Sequence, residues 1–242
     1  MIKIILQSLL GKIGFQIVRT GSVNKKYGPT PGYYRLDKLP PLSTVVDVGV
    51  GHQGSPFLYT RFSEANFISI DPLHEAEQAV QKRLGSSKGH FIQAAVGTKR
   101  QLIEFQVSET PSRTSLFERT QHDHNSLPME TRQAQMDCLD SLLQGIEIKR
   151  PALLKVDIEG GELDCLQGGK ETVDAVDYII LELQLTRNFR GSYRFSEVIA
   201  FMAQRQFEPF QVLKAGNNTI ELLFSQADDP IRETWAYGTT EE

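Results

Sequence analysis

Short, mostly apolar runs alternate with helix-like segments through the middle of the sequence. Examples are TVVDV at 44–48, which precedes a glycine-rich stretch, and ALLKV at 152–156, which precedes Asp157. Buried strands separated by helices are typical of a parallel, doubly wound sheet. Two more runs, near 210–213 and 220–224, follow the last predicted helix. The sequence therefore predicts an α/β, Rossmann-like fold whose mostly parallel sheet carries an antiparallel C-terminal edge hairpin.

Composition excludes several classes of protein and partner. The chain has 242 residues, 40% of them hydrophobic and 23% charged, and this length can bury a core without disulfide bonds. The net charge of -4 argues against a nucleic-acid partner, which requires a basic surface. Only two cysteines are present, which fits a reducing compartment, so a cytoplasmic location is expected. No run reaches the roughly 18–20 apolar residues that a membrane-spanning helix requires.

Three regions are predicted along the chain. Residues 1–42 combine an amphipathic helix with a linker rich in proline and glycine, residues 43–226 form the α/β domain, and residues 227–242 form a polar tail. The apolar positions of the helix recur at helical spacing: Ile2, Leu6, Leu9, Ile13 and Ile17. Two roles for residues 1–20 stay open. They pack on the domain or on a second subunit as a dimer contact, or they lie on a membrane surface as a peripheral anchor.

A glycine-rich loop follows the first strand. Gly49, Gly51 and Gly54 fit G-x-G-x-x-G between a strand and a helix, and Asp71-Pro72 ends the next strand. Glycines let the backbone approach a ligand, and a carboxylate at this point accepts both ribose hydroxyls of an adenosine-containing cofactor. We expect this loop, with His52 beside it, to bind such a cofactor.

Asp47, just before the glycines, separates two classes of cofactor. A carboxylate here would repel the pyrophosphate of a nicotinamide dinucleotide, whereas the cationic S-adenosylmethionine would be attracted. The sequence therefore favours the methyl donor. A nicotinamide-dependent oxidoreductase and a non-catalytic binding protein on the same fold remain alternatives.

Acidic residues gather where two later strands end. Asp157 and Glu159 follow the strand at 152–156, and Glu182 lies near the end of the strand in YIILELQL. Because open α/β sheets bind ligands at the carboxyl edge, we expect these three to be catalytic. Asp157 and Glu182 are predicted to share a proton or a divalent cation such as Mg²⁺, and the metal-free form is favoured. The polar segment from Ser108 to Arg132 is predicted to cover the acceptor pocket.

The segment LLKVDIEGGELDCLQGG closely resembles the signature of the FkbM-type methyltransferase family, on Lys155, Asp157, Glu159, Gly160 and Glu162. Other motifs fall in family order between residues 45 and 224: DVG at 47–49, Asp71-Pro72, AAVG at 94–97 with Ala95 in the cofactor site, CLDSLL at 138–143, and the ILEL strand. The resemblance implies a class I methyltransferase fold. It also implies S-adenosylmethionine as cofactor and methyl transfer to a hydroxyl of a sugar, a glycan or a secondary metabolite.

Overall fold

The computed structural model describes residues 32–52, 54–84, 89–108, 129–216 and 218–236. Its ten strands are β1 (Thr44–Val48), β2 (Asn66–Asp71), β3 (Gly89–Gln93), β4 (Ala95–Gly97), β5 (Gln101–Ser108), β6 (Met129–Cys138), β7 (Ala152–Val156), β8 (Tyr178–Gln184), β9 (Phe207–Ala215) and β10 (Thr219–Gln226). Its α-helices are α1 (Pro56–Arg61), α2 (His74–Leu84), α3 (Leu139–Leu142), α4 (Glu162–Gly168), α5 (Lys170–Ala175), α6 (Phe195–Gln204) and α7 (Ile231–Ala236). A 3-10 helix spans Tyr33–Lys38.

Seven strands form one twisted sheet in the order β3-β2-β1-β7-β8-β10-β9. The first five pair in parallel, and β10 runs antiparallel between β8 and β9. The predicted doubly wound sheet with an antiparallel edge hairpin is therefore confirmed. The strand order reverses direction between β1 and β7, and ligands of such sheets bind outside the carboxyl ends of the strands at this switch point.

Apolar side chains bury both faces of the large sheet. On one face, Val46, Leu154 and Leu181 pack with residues of α4, α5 and α6. On the other face, Val45, Leu153 and Ile180 pack with α1 and the 3-10 helix. Central strands such as β1 and β7 are buried along their whole length, which explains their continuous apolar runs.

Buried residues and helices are found on both sides of the predicted α/β domain at 43–226. Tyr33, Leu36 and Leu39, placed by the sequence in the linker, are buried in the core beneath β9 and α1. At the other end, α7 lies in the predicted polar tail, and its Ile231 packs against the same core. Residues 1–31 lie outside the described part of the chain, so the predicted amphipathic helix at 1–20 stays a prediction.

A second sheet, in the order β4-β6-β5, packs against α2 and corrects two predictions. The apolar residues of FIQAAV at 91–96 predict a single strand, but the chain forms two there, because β3 joins the large sheet while β4 joins the small one. The polar segment predicted as irregular from Ser108 to Arg132 includes the start of β6, which pairs with β5 from Met129 onward. Residues 109–128, where most of the predicted acceptor cover falls, lie outside the described residues.

The helices are short. The segment ELDCLQGGK at 162–170 predicts one helix, but the chain forms α4 and α5, which meet at Gly169. Within the described ranges, no helix has the length and apolar character needed to cross a membrane.

Candidate active site

The glycine loop lies at the switch point of the sheet, directly after β1. Gly49 has a φ of 83°, and a Cβ there would lie 1.9 Å from the carbonyl oxygen of Asp157. Only glycine fits this backbone and this close approach. The loop is therefore pressed against the end of β7, which brings the predicted cofactor and catalytic segments together.

Asp71 ends β2 beside this loop. Its two carboxylate oxygens accept hydrogen bonds from the backbone N–H groups of Gly51 (2.7 Å) and Leu73 (2.8 Å). The side chain is buried, and burial raises the pKa of Asp71 to about 6 although both hydrogen bonds act to lower it. The partly exposed Pro72 follows, and the Asp71 carbonyl accepts from the N–H of Ala94 (3.2 Å), so the buried Ala95 lies near this end of β2.

Asp47 is completely buried on β1. Its carboxylate accepts hydrogen bonds from the Ser55 hydroxyl (3.1 Å) and the Tyr59 hydroxyl (3.4 Å). Ser55 lies directly before α1 and Tyr59 lies within it, so Asp47 connects β1 to this helix inside the core. Burial raises the pKa of Asp47, and the nearby Lys155 opposes this effect.

Lys155 is a buried cation at the centre of the site. It is 3% exposed on β7, and its Nζ lies 3.1 Å from Asp157 Oδ2 and 4.0 Å from Asp47 Oδ1. Burial alone would lower the pKa of Lys155, but the surrounding carboxylates, Asp157 first, raise it above its usual value. The Lys155 ammonium therefore stays charged. It links Asp47, just before the glycine loop, electrostatically to Asp157 at the end of β7.

Asp157 and Glu182 come together at the carboxyl ends of β7 and β8. Their carboxyl groups share a hydrogen bond, and Glu182 also accepts one from Lys214 Nζ at 2.8 Å. Burial and then the charge of Asp157 raise the pKa of Glu182. Burial acts to raise the pKa of Asp157 as well, but Lys155, together with Glu182 and Lys214, lowers it below its usual value. When the pair shares one proton, Glu182 is therefore the more basic member, and Asp157 is ionised.

The turn after β7 is fixed by Glu162 rather than by Glu159. Glu159 adopts a left-handed backbone, with a φ of 55°. Glu162 is 1% exposed and accepts hydrogen bonds from the N–H groups of Ile158 (3.0 Å) and Gly160 (3.1 Å). Burial raises the pKa of Glu162 to about 7. The first residue of α4 thus holds the turn that presents Asp157, whereas the catalytic role of Glu159 stays a prediction.

Replacing Glu162 with alanine is expected to lower the free energy of unfolding by about 1–3 kcal/mol, because the buried N–H groups of Ile158 and Gly160 lose their acceptor. Urea unfolding followed by circular dichroism measures this change. Asp164→Ala, two residues along the same helix, is the matched control and should have a smaller effect. Equal stability of the two variants would show that Glu162 does not hold the turn.

His52 lines a cavity of about 850 Å³ between α1 and α2. The other lining residues are Pro56, Tyr59, Thr60, Glu75, Gln78, Ala79, Lys82 and Arg83. His52 is thus placed where the glycine loop meets this groove, and its contact with a cofactor stays a prediction.

The sequence reasoning did not single out Glu221 and Tyr33. Glu221 is 2% exposed on β10, lies opposite Glu182 in the strand register, and accepts a hydrogen bond from the Tyr33 hydroxyl. A carboxylate inside an apolar strand is costly to bury unless it has a partner, so such a residue stands out in a sequence. Glu221 in TIELLF shows this pattern as clearly as Glu182 in YIILELQL does. Within the described ranges, no group of three or more histidine, cysteine or acidic side chains is arranged to hold a metal ion.

Comparisons with known proteins place the chain in a family. No curated protein matches the sequence significantly. Similar solved structures include ribosomal protein L11 methylase from Lactobacillus delbrueckii subsp. bulgaricus (15% identity, 80% of this chain and 76% of that one, TM-score 0.43). Magnesium protoporphyrin IX methyltransferase from Synechocystis PCC 6803, with bound SAM, is 12% identical over 80% of this chain and 74% of that one (TM-score 0.44). The family model of the methyltransferase FkbM domain matches residues 47–209, more than half of the chain, so the protein belongs to the FkbM methyltransferase family.

Proposed function

We propose that the protein is an S-adenosylmethionine-dependent O-methyltransferase that methylates a hydroxyl of a sugar, a glycan or a secondary metabolite. The observation that carries this proposal is the carboxyl pair of Asp157 and Glu182 at the carboxyl ends of β7 and β8, where the backbone of Asp157 lies against Gly49 of the glycine loop. Asp157 is ionised and can accept a hydrogen bond from the acceptor hydroxyl, and Glu182, whose pKa is raised, is the stronger base of the pair.

The residues around the glycine loop fit an adenosine cofactor. A Cβ added to Gly51 would meet nothing within 4 Å, so the backbone there is open to a ligand. Each oxygen of Asp71 accepts one backbone hydrogen bond and keeps a further lone pair for a ribose hydroxyl. The ionised Asp157 next to Gly49 suits a cationic sulfonium better than a pyrophosphate.

S-adenosylmethionine, when bound, supplies an activated methyl group. The protein has to align the acceptor hydroxyl, exclude water and hold the hydroxyl proton, and alignment supplies most of the rate. Asp157, kept ionised by Lys155, accepts the hydrogen bond from the acceptor hydroxyl. The departing proton is then held by the Asp157–Glu182 pair, with Lys214 fixing Glu182 at 2.8 Å.

The polar character of this edge supports an acceptor rich in hydroxyls. The side chain of Asp157 is 31% exposed, and the paired Lys214 is 47% exposed, so both a hydrogen-bond acceptor and a donor are accessible. Two neighbouring hydroxyls of a sugar can form hydrogen bonds with such an acceptor and donor at the same time. A hydroxylated secondary metabolite can form these hydrogen bonds through a single hydroxyl.

Two measurements test the proposed function. Titration calorimetry should show binding of S-adenosylmethionine and not of NADH. Incubation with methyl-labelled S-adenosylmethionine and a panel of sugars, nucleotide sugars and hydroxylated natural products should then yield a labelled ether, detected by mass spectrometry. Binding of NADH instead would support an oxidoreductase, whereas cofactor binding with no transfer to any acceptor would support a non-catalytic binding protein.

The affinity for S-adenosylhomocysteine is expected to depend on pH through Asp71. Ionised Asp71 accepts hydrogen bonds from the ribose, and the pKa of Asp71 in the free protein is about 6. Affinity should therefore be constant above pH 7 and fall as the pH drops below 6, approaching tenfold per pH unit. The neutral sulfur of this ligand limits the contribution of the other carboxylates. Titration calorimetry between pH 5 and 8 measures the effect, and a flat profile would place the ribose elsewhere.

A further inference from the structure

Three charged side chains lie buried on the face of the sheet that α1 and the 3-10 helix cover. Asp47, Lys155 and Glu221 are 0%, 3% and 2% exposed on β1, β7 and β10. Each lies two residues along its strand from a member of the apolar cluster on that face: Val45, Leu153 and Leu223. The carboxyl half of this face is therefore a buried layer of charge, while the other half is apolar.

Among the residues that the structure describes, negative groups outnumber positive ones in and around this layer. Asp47, Asp157, Glu182 and Glu221 face the two ammonium groups of Lys155 and Lys214. When carboxylates share a buried site without enough cations, they cannot all be ionised. The free protein therefore carries at least one proton on these carboxyl groups near neutral pH.

Glu221 differs from the other three carboxylates in its partner. An ammonium nitrogen lies 4.0 Å from Asp47 and 3.1 Å from Asp157, both from Lys155, and Lys214 lies 2.8 Å from Glu182. Within the described part of the chain, no cation lies at ion-pair distance from Glu221, whose hydrogen bond comes from the Tyr33 hydroxyl.

The groups that face Glu221 come from every neighbouring element. Tyr33 lies on the 3-10 helix, Lys155 on β7 with Asp157 at its end, Glu182 opposite on β8, and Lys214 opposite on β9. Burial raises the pKa of Glu221 to about 7, Lys155 and Tyr33 oppose this, and the charges of Asp157 and Glu182 add to it. Burial and Glu221 itself raise the pKa of Tyr33, so its hydroxyl remains a donor.

We propose that Glu221 stores a proton for the site: it is protonated in the free protein, releases this proton when cationic S-adenosylmethionine binds, and regains one after the methyl group has been transferred. This inference rests on the proposed function. Methyl transfer forms a C–O bond and breaks an S–C bond whose electron pair stays on sulfur. The sulfonium becomes a neutral thioether, and the acceptor hydroxyl loses a proton.

One positive charge therefore leaves the sulfur while one proton enters the carboxyl cluster. If that proton stays among Asp157, Glu182 and Glu221, the net charge of the site is unchanged by the reaction. Glu221 acts through its neighbours and does not contact the acceptor, so it is a positioning and proton-storing residue. Tyr33 makes its ionised state accessible by donating a hydrogen bond to the carboxylate.

Calorimetry with S-adenosylmethionine and S-adenosylhomocysteine tests the proposal without an acceptor. Each is titrated in buffers of different ionisation enthalpy between pH 6 and 8.5, which gives the number of protons released. The two ligands share the ribose and the methionine end, so proton exchange at Asp71 cancels in their difference. We expect S-adenosylmethionine to release more protons than S-adenosylhomocysteine, with a midpoint near pH 7.

Tyr33→Phe tests the assignment to Glu221. Loss of a hydrogen bond to a charged group, roughly 1.5–3 kcal/mol, should raise the midpoint by about one to two pH units. Tyr34→Phe removes the hydroxyl of the adjacent tyrosine, which is 49% exposed, and should leave the midpoint unchanged. Glu221→Gln should abolish the difference in proton release between the two ligands. Circular dichroism checks that Tyr33→Phe and Glu221→Gln fold.

Three outcomes separate the possibilities. Equal proton release with both ligands at every pH would overturn the inference while leaving the proposed function intact. An unchanged midpoint in a folded Tyr33→Phe variant would move the stored proton to another carboxylate and overturn the role of Glu221. Absence of S-adenosylmethionine binding would overturn the proposed function itself.

Discussion

Replacing Asp157 with asparagine should reduce the turnover number about a hundredfold or more, because general-base assistance contributes roughly 10²–10⁴-fold. Asparagine keeps the shape of the side chain but cannot take the hydroxyl proton. S-adenosylmethionine should still bind, since Lys155 retains Asp47 at 4.0 Å as a partner and Gly49 still fits against the backbone. Methyl transfer to an acceptor from the panel measures turnover, and calorimetry measures binding.

Glu182 should act as the base for the residual activity of this variant. The negative charge of Asp157 contributes to the raised pKa of Glu182, so its removal lowers that pKa and frees a second carboxylate. Asp157→Asn combined with Glu182→Gln should therefore be less active than either single variant, while Asp164→Asn on α4 serves as the control. Turnover of Asp157→Asn within a few-fold of wild type would give Asp157 a structural role. Loss of wild-type activity with a chelator, restored by Mg²⁺, would show that a metal ion acidifies the hydroxyl instead.

The fold follows from the sequence wherever burial dominates. β1 and β7 begin and end at the predicted residues because their apolar runs are continuous between clear turn signals. β6 was missed because METRQAQMDC is polar and none of its residues from 130 to 138 is fully buried, so it lacks the pattern of a buried strand. Its position depends on pairing with β5, which is a tertiary interaction that local periodicity does not report.

The sequence also identified only part of the candidate site. The sequence identified the strand-end acids Asp71, Asp157 and Glu182, because topology alone brings the carboxyl ends of parallel strands to one edge. It did not identify Tyr33, which reaches Glu221 from a segment predicted as a linker, 188 residues away in sequence. Lys155 belongs to the family signature, but its place between two buried carboxylates depends on the register of β1 with β7, where it lies opposite Asp47. Pairing between distant strands sets that register.

Replacing Asp71 with alanine is expected to weaken S-adenosylmethionine binding by about a hundredfold. The ribose hydroxyls lose two charge-assisted hydrogen bonds, each worth roughly 1.5–3 kcal/mol, and the lower limit for the pair corresponds to that factor. Because the same ribose is present in S-adenosylhomocysteine, its affinity should fall equally. Calorimetry at pH 7.5, where Asp71 is ionised in the wild type, measures both ligands.

Loss of the carboxylate also removes the acceptor for the N–H groups of Gly51 and Leu73, so a structural effect must be separated from the loss of ligand contacts. Asp177→Ala is the matched control, because Asp177 accepts a hydrogen bond from the backbone N–H of Ala152 (2.7 Å) at the opposite end of the sheet. Both variants should lose stability in urea, but only Asp71→Ala should lose affinity. A similar loss of affinity in both would mean that general destabilisation explains the result. Unchanged affinity in Asp71→Ala would show that the ribose binds at another carboxylate, and the glycine loop would then hold the cofactor in a different orientation.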